Sequence, residues 1–417
     1  MESLISRRMF LKLAGGTGLS LLVPGLSEAA ARARGPERAK SLVVIWLAGG
    51  PSQLDTWDPH PGKLGLPADF AIDTTIKGAQ VARHFPRVAE QLHHMNVLRS
   101  LVSREGDHER ATYFVKTGYR PDPTVKHPAL TALVAHEQPA RDLAIPQILS
   151  IGETQWPARG GFLGDEHDAF RVADPLHPLA NMRATVDPAR AQRRHDFLAV
   201  VERSFRAPRP AQADRTLHTE NTRRAFAMMT TTQLDAFKVD AEPAALRKAY
   251  GAGSFGQGCL LARRLVGAGV RAVEVTLDGF DSHVNNTRIH SERAAELDPA
   301  LGTLIRDLVD HDLFDSTVVM VMGEFGRTPS VNPLEGRDHW PHGFAALVGG
   351  GGLAKGRVIG ETDPTGVKQE PAQPLLVNDV HATVLTVLGL SPGRELITPV
   401  GRPIKLSDGK PIAALMV

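Results

Sequence analysis

The sequence predicts an α/β protein built on a mostly parallel sheet with helices on both faces. Three observations predict it. Apolar runs such as Leu42–Leu47 (LVVIWL) and Ser316–Met322 (STVVMVM) read as strands buried on both faces. Helical patterns lie between such runs, so successive strands must be joined by crossovers. The chain is 42% apolar and 23% charged, as an ordinary globular protein is.

The N-terminus comes first and reads as an address. Ser6-Arg7-Arg8-Met9-Phe10-Leu11-Lys12 is a paired-arginine motif, followed by the mildly apolar Leu13–Val23. Pro24 and Gly25 then break any helix, and Ala31-Arg32-Ala33 supplies small residues for a signal peptidase. Residues 1–33 are therefore expected to be a twin-arginine signal peptide, leaving a periplasmic or secreted chain of roughly 380 residues. The apolar run falls well short of the roughly 20 residues that span a bilayer, and no later stretch suffices. The only cysteine, Cys259, lies too far downstream for a lipid anchor and has no partner for a disulfide.

The remaining elements follow in order. Leu42–Leu47 is a strand stopped by Gly49-Gly50-Pro51. Pro86–His93 is a short helix with proline in its first turn, and Met95–Val102 is a strand. His108–Lys116 and Pro128–His136 are helices, the first ended by Thr117-Gly118. Residues 184–248, rich in Arg, Ala and Leu, form a helical insertion within an α/β domain spanning 41–410. Gly258–Gly267 is a helix leading into the strand Val270–Leu277. Asp298 is expected to cap a helix over Pro299–His311, ahead of the strand Ser316–Met322. Phe344–Val348 is a strand running into four glycines, and Asp379–Leu388 is a helix ended by Gly389.

Charge narrows the partners. A net charge of +2 offers no electrostatic case for nucleic acid or an anionic membrane. Seventeen histidines against three tyrosines leave a large pool of metal ligands.

In an open parallel sheet, ligands bind beyond the carboxyl ends of the strands. Three strands end in polar loops there: Gly49–Asp58, Asp278–His283 and Gly323–Pro329. Together they offer Asp55, Asp58, Asp278, Asp281, His283 and Glu324. Crowded carboxylates repel unless a cation or protons neutralise them. Mixed with imidazole, they suit zinc, manganese or iron. Gly336–Gly343 adds His339 and His342, and Gly106–Thr112 sits at a helix start, a natural anion site with Arg110 beside it. Singly, each Asp also reads as a turn former or cap, and each His as a structural residue.

These segments together resemble one family. LAGGPSQLDTWDP (47–59), DHERATYFVKTGYRP (107–121), DGFDSH (278–283), GEFGRTP (323–329), GRDHWP (336–341) and 349–363 are similar to the exported bacterial group called domain of unknown function 1501. The resemblance covers nearly the whole chain after the signal. It implies the alkaline phosphatase and sulfatase superfamily: a three-layer sandwich with one or two metals at the carboxyl edge of the sheet.

The same resemblance implies roles. Asp55 is nearest to the superfamily's first-strand Asp ligand, though several residues past the strand end. Asp278 and His283 are similar to a later Asp–His pair, with Asp281 as the rival carboxylate. Glu324-Phe325-Gly326 stands where the superfamily has Asp-His-Gly, so Glu324 can ligate but Phe325 cannot, and a second metal site lacks its histidine. Gly336-Arg337-Asp338-His339 matches the segment supplying the last histidine. The nucleophile, about nine residues before a Thr-Gly pair, falls on His108, with Thr112 nearby but out of step. The formylglycine signature is absent.

Two functions of different class follow. One is an exported metal-dependent hydrolase of phosphate or sulfate esters, holding a divalent zinc, manganese or calcium ion. Arg110, Arg327 or Arg337 would clamp a small anionic ester or a sulfated or phosphorylated glycan. The other is a non-catalytic protein of the same fold that binds anionic glycans or a surface partner. A serine hydrolase using Ser52 is a third, without the Gly-x-Ser-x-Gly elbow. The expectation to test is geometric: Asp278 or Asp281, His283, Glu324 and His339 should surround a common point.

Overall fold

Along the first strand, side chains alternate between two apolar environments. Leu42, Val44 and Trp46 join one buried cluster, and Val43, Ile45 and Leu47 join another. A strand reads as continuously apolar when both its faces are covered. The structure is a computed structural model and describes residues 39–177, 179–209 and 216–417. The twin-arginine reading of residues 1–33 lies outside the described residues.

The chain runs β1 (Ser41–Leu47), a hairpin of β2 (Ala71–Asp73) and β3 (Gln80–Ala82), α1 (Pro86–Gln91), β4 (Met95–Val102), α2 (His108–Thr117), α3 (Leu130–Glu137), β5 (Ile148–Ile151) and β6 (Phe170–Val172). Then come α4 (Pro188–Arg206), α5 (His218–Thr230), α6 (Ala244–Tyr250), α7 (Ser254–Gly267), β7 (Ala272–Leu277), α8 (Asn286–Asp310) and β8 (Thr317–Met322). Last are β9 (Gly326–Arg327), β10 (His339–Trp340), β11 (Phe344–Gly350), β12 (Val358–Ile359), β13 (Leu375–Leu376), α9 (Val377–Val387), β14 (Glu395–Ile397) and β15 (Pro403–Lys405).

Among the described residues, nine strands form the central sheet in the order β12-β4-β11-β8-β1-β7-β5-β6, with β13 also on β4. Only β11 runs against its neighbours. Leu260, Leu265, Leu301 and Leu304 of α7 and α8 cover one face, with Val88 of α1. Val115, Leu133, Val380 and Val384 of α2, α3 and α9 cover the other. The predicted three-layer α/β class, with a mostly parallel sheet, is the observed architecture.

One element differs in kind from its expectation. Pro299 does not open a helix; it lies inside α8, which runs unbroken for 25 residues. Asp298 caps a helix, but not its own. Its carboxylate accepts the Arg87 and Val88 amides at 3.2 and 2.9 Å, supplying the first turn of α1 with the acceptor that Phe85 lacks. The two helices approach closely at Gly302, where a Cβ would lie 2.9 Å from the Arg87 backbone.

This topology gathers the polar loops. β8, β1 and β7 are adjacent and parallel, with Trp46 opposite Met322 and Leu47 opposite Leu277. Their carboxyl ends, and the loops after them, share one edge. β4 points the same way and delivers α2 there. β11 runs the other way, so the segment before Phe344 enters at that same edge. All five segments singled out in the sequence meet at it.

Candidate metal centre

The segments are stitched before any side chain is considered. Val284 bridges Glu335, Arg337 N–H donates to Ser282 O at 3.0 Å, and β9 pairs with β10. Gly49, at φ +106°, allows the loop after β1 to touch the one after β7; a Cβ there would lie 2.4 Å from Asp281 N.

Asp281 is the centre of the cluster. His283 Nε2 lies 3.2 Å and His339 Nε2 3.5 Å from its Oδ1, and His108 Nε2 lies 3.5 Å from its Oδ2. His108, Asp281 and His339 offer ligand atoms all within 4.8 Å of one another. Each imidazole is oriented from behind through Nδ1. His108 donates to Glu324 at 2.8 Å, His283 to Asp338 at 2.7 Å, and His339 to Gly106 O at 2.7 Å. These partners only accept, so each Nδ1 carries a hydrogen and each Nε2 faces inward, where it presents a lone pair once the ring is neutral. His283 Nε2 and His339 Nε2 face each other at 2.9 Å. Two lone pairs at that distance repel unless a proton or a cation sits against them.

Electrostatics point the same way. Burial works against ionising Asp281, but hydrogen bonds from His108, His339 and Arg327 outweigh it and hold its pKa far below the carboxylate range. Hydrogen bonds to Asp281 and then Glu324 raise His108 to about 9. Glu324 is buried; its Oε1 also accepts Gly49 N–H at 2.9 Å, while its Oε2 has no partner among the described residues. Asp281, Glu324 and Asp338 set against Arg327 leave two net negative charges once His108 gives up its proton, the complement of one divalent ion.

Phe325, fully buried, packs its ring 4.4 Å from the His339 imidazole and 5.0 Å from that of His108, measured between centroids. It fills with carbon the space beside these rings.

Several residues read as site residues stand elsewhere. Asp278 is exposed and its carboxylate accepts its own neighbour's amide, Gly279 N–H, at 2.7 Å; the turn after β7 turns Asp281 inward instead. Asp55 is buried among Ser52 Oγ (2.6 Å), Asn286 Nδ2 (2.8 Å) and Arg337 Nε (3.6 Å), a local knot that braces the β1 loop. Asp58 accepts Thr362 N–H and Oγ1–H, with Arg99 at 3.3 Å.

The anion-clamp expectation fails for two of three arginines. Arg327 is fully buried; it donates to Gly49 O, Gly50 O, Arg337 O and Asp281, so it is a strut that holds the carboxylate in place. Arg337 donates to Thr328 O, Pro329 O and Leu64 O from an equally buried position. Arg110 keeps an exposed guanidinium, 3.5 Å from Glu105. Thr112 is buried at 1% exposure, so it is no accessible nucleophile. Ser52 gives its hydroxyl to Asp55, and His290 Nε2 accepts the Ser52 amide, so no Ser–His–Asp relay exists there. His342 faces Gln369, away from the cluster.

In the sequence His108 stands at a nucleophile position, not at a ligand position. The signal that would have found its partner is local: Asp107 caps α2 by accepting Arg110 N–H, which leaves the first side chain of the helix, His108, free to reach Glu324.

A mostly parallel α/β sheet with an imidazole–carboxylate cluster at its carboxyl edge defines a class: an α/β protein with a candidate metal centre. Residues 39–416 match the family described as "Protein of unknown function (DUF1501)", and the chain belongs to it. No curated protein sequence matches. Among solved structures, a protein in the alkaline phosphatase superfamily from Vibrio parahaemolyticus is 14% identical, over 85% of this chain and 68% of that one, with a TM-score of 0.37. A phosphonate monoester hydrolase from Silicibacter pomeroyi is 12% identical over 90% and 76% (TM-score 0.38). The C-terminal periplasmic domain of EptC from Escherichia coli, in complex with Zn, is 11% identical over 91% and 92% (TM-score 0.40).

Proposed function

We propose that this chain is an exported hydrolase of phosphate or sulfate esters that works with one divalent metal ion held by His108, Asp281, His283 and His339. The observation that carries the reading is the facing pair of Nε2 lone pairs, His283 and His339, 2.9 Å apart with both Nδ1 hydrogens already committed. Ligands about 2.0–2.1 Å from one metal lie about 2.9–3.4 Å from each other. His283 and His339 lie 2.9 Å apart and the three imidazoles 3.2–3.5 Å from Asp281, while the ligand atoms of His108, Asp281 and His339 fall within 4.8 Å of one another. When bound, a divalent ion supplies Lewis-acid polarisation of the ester and makes nearby water more acidic.

The chain's own groups do the rest. Glu324, Asp338 and Gly106 O fix the three rings, and Arg327 fixes the carboxylate. Asp281 and His283 remain about half exposed, so the cluster has an open side from which a small ester or a sulfated or phosphorylated glycan end is reached. Arg110 is the arginine available to meet its anionic group. Phe325 supports a single ion, because no imidazole stands there for a second.

The second reading is a non-catalytic binder of the same anions. It draws support from Thr112 and Arg327, which are buried and so unavailable as nucleophile and clamp. One experiment separates the two. Purified protein is expected to carry about one divalent ion per chain, and His283→Ala with His339→Ala to lose it. Wild type is expected to hydrolyse at least one phosphate or sulfate ester, and the double variant none. Metal without turnover across both ester classes leaves the binding reading; metal-free wild type, after purification without chelators, sinks the hydrolase.

A further inference from the structure

We propose that α4 docks this protein on an anionic lipid surface. α4 has 19 residues and not one of them is buried. Its inner side is nevertheless in use: His195 stacks on Phe226 of α5 at 4.4 Å between centroids, and Glu202 pairs with His218 at 3.0 Å. Its outer side carries Phe197, Val200, Val201 and Phe205, which are 72%, 50%, 63% and 56% exposed. At about 100° per residue these four share one face, about 12 Å long.

Charge selects the occupant. Arg190, Arg193 and Arg194 fall on that same face, one to two turns ahead of Phe197, and all three are exposed. Arg209 stacks over the Phe205 ring at 4.9 Å from its far end. The two carboxylates of the helix lie off the face: Glu202 is turned to His218, and Asp196 accepts from Gln192. A face with arginines at both ends and no carboxylate repels a second copy of itself. It matches a helix lying in a lipid headgroup layer, where phenylalanine and valine enter the acyl boundary and guanidiniums meet phosphates. The whole-chain charge of +2 hides this, because it sums 48 cationic and 46 anionic side chains without regard to where they stand.

The test uses the full chain and vesicles of phosphatidylglycerol and phosphatidylcholine in equal parts, read by co-sedimentation. Wild type is expected to sediment with these vesicles, not with phosphatidylcholine alone, and to be released by about 0.5 M salt. Phe197→Ser with Phe205→Ser, and separately Arg190→Gln with Arg193→Gln and Arg194→Gln, are expected to weaken binding at least about tenfold. Residues 1–38 are the same in every variant, so the difference reads α4 alone. Unchanged thermal midpoints confirm intact folds, as expected for exposed positions. Wild type left in the supernatant overturns the proposal, as does sedimentation of either variant equal to wild type. A dimer by light scattering that Phe197→Ser with Phe205→Ser turns into a monomer also overturns it, and assigns the face to a second copy.

Discussion

At the scale of single residues, the cluster is governed by what stands behind the imidazoles. Asp338 is more than half exposed and touches the site through His283 and Asn332. Asp338→Ala is therefore expected to fold normally while weakening metal affinity about 10–100-fold, because it frees the His283 ring to turn. Competition with a metal indicator measures it, and unchanged affinity would remove His283 from the ligand set. Arg327 is the contrasting case. Arg327→Met strips four acceptors, and the loss is expected to reach about 3–5 kcal/mol, read as a shift in denaturant midpoint. Protons compete with metal at His108. Its pKa of about 9 means that a ligand role there releases a proton near neutrality, so affinity is expected to climb as pH rises toward 9 and then level off.

At the scale of elements, legibility followed length and patterning. β1, β4, β8 and β11 are seven, eight, six and seven residues long and wholly or largely buried, and their apolar runs were plain in the sequence. β5 and β6 have four and three residues and no turn signal strong enough to frame them, so the sequence does not reveal them. Pro299 misled because proline is common at a helix start; only the packing of α8 on α1 reveals a helix that tolerates a missing N–H in its interior. The five site loops were legible because each follows or precedes a readable strand. Which carboxylate turned inward, Asp278 or Asp281, was not, since the choice is made by a turn at Gly279 and a contact with Arg327. Asp298 gives this scale its prediction. Asp298→Ala is expected to cost about 1–2 kcal/mol, since two first-turn amides of α1 lose their acceptor, and Asp298→Asn less. Equal denaturant midpoints for Asp298→Ala and wild type would show that α1 needs no cap from α8.

At the scale of the whole molecule, two histidines bracket the pH range of the metal-free fold. His381 is fully buried; burial lowers it to about 4, while its Nε2–H donates to Val115 O at 2.8 Å. Unfolded, it takes a proton near pH 6.5, so stability is lost as pH falls from about 6.5 to 4. His108 acts on the opposite limb. Its raised pKa contributes stability that is full below about 6.5 and disappears as pH rises through about 9. His381→Gln is expected to make the acid limb shallower, with His290 and the other buried histidines keeping part of it, and to leave the alkaline one in place, as followed by urea midpoints across pH. An acid limb as steep as that of wild type would count against the assignment.

The ring that closes the site joins very distant parts of the chain: the bond from His339 to Gly106 O spans 233 residues. Neither end means anything to an ion until the sheet between them exists, so the cluster can form only late in folding. Interactions completed after the rate-limiting step slow unfolding without hastening folding. A bound ion would then act as a latch, lengthening the lifetime of the folded chain far more than it speeds the chain's arrival there.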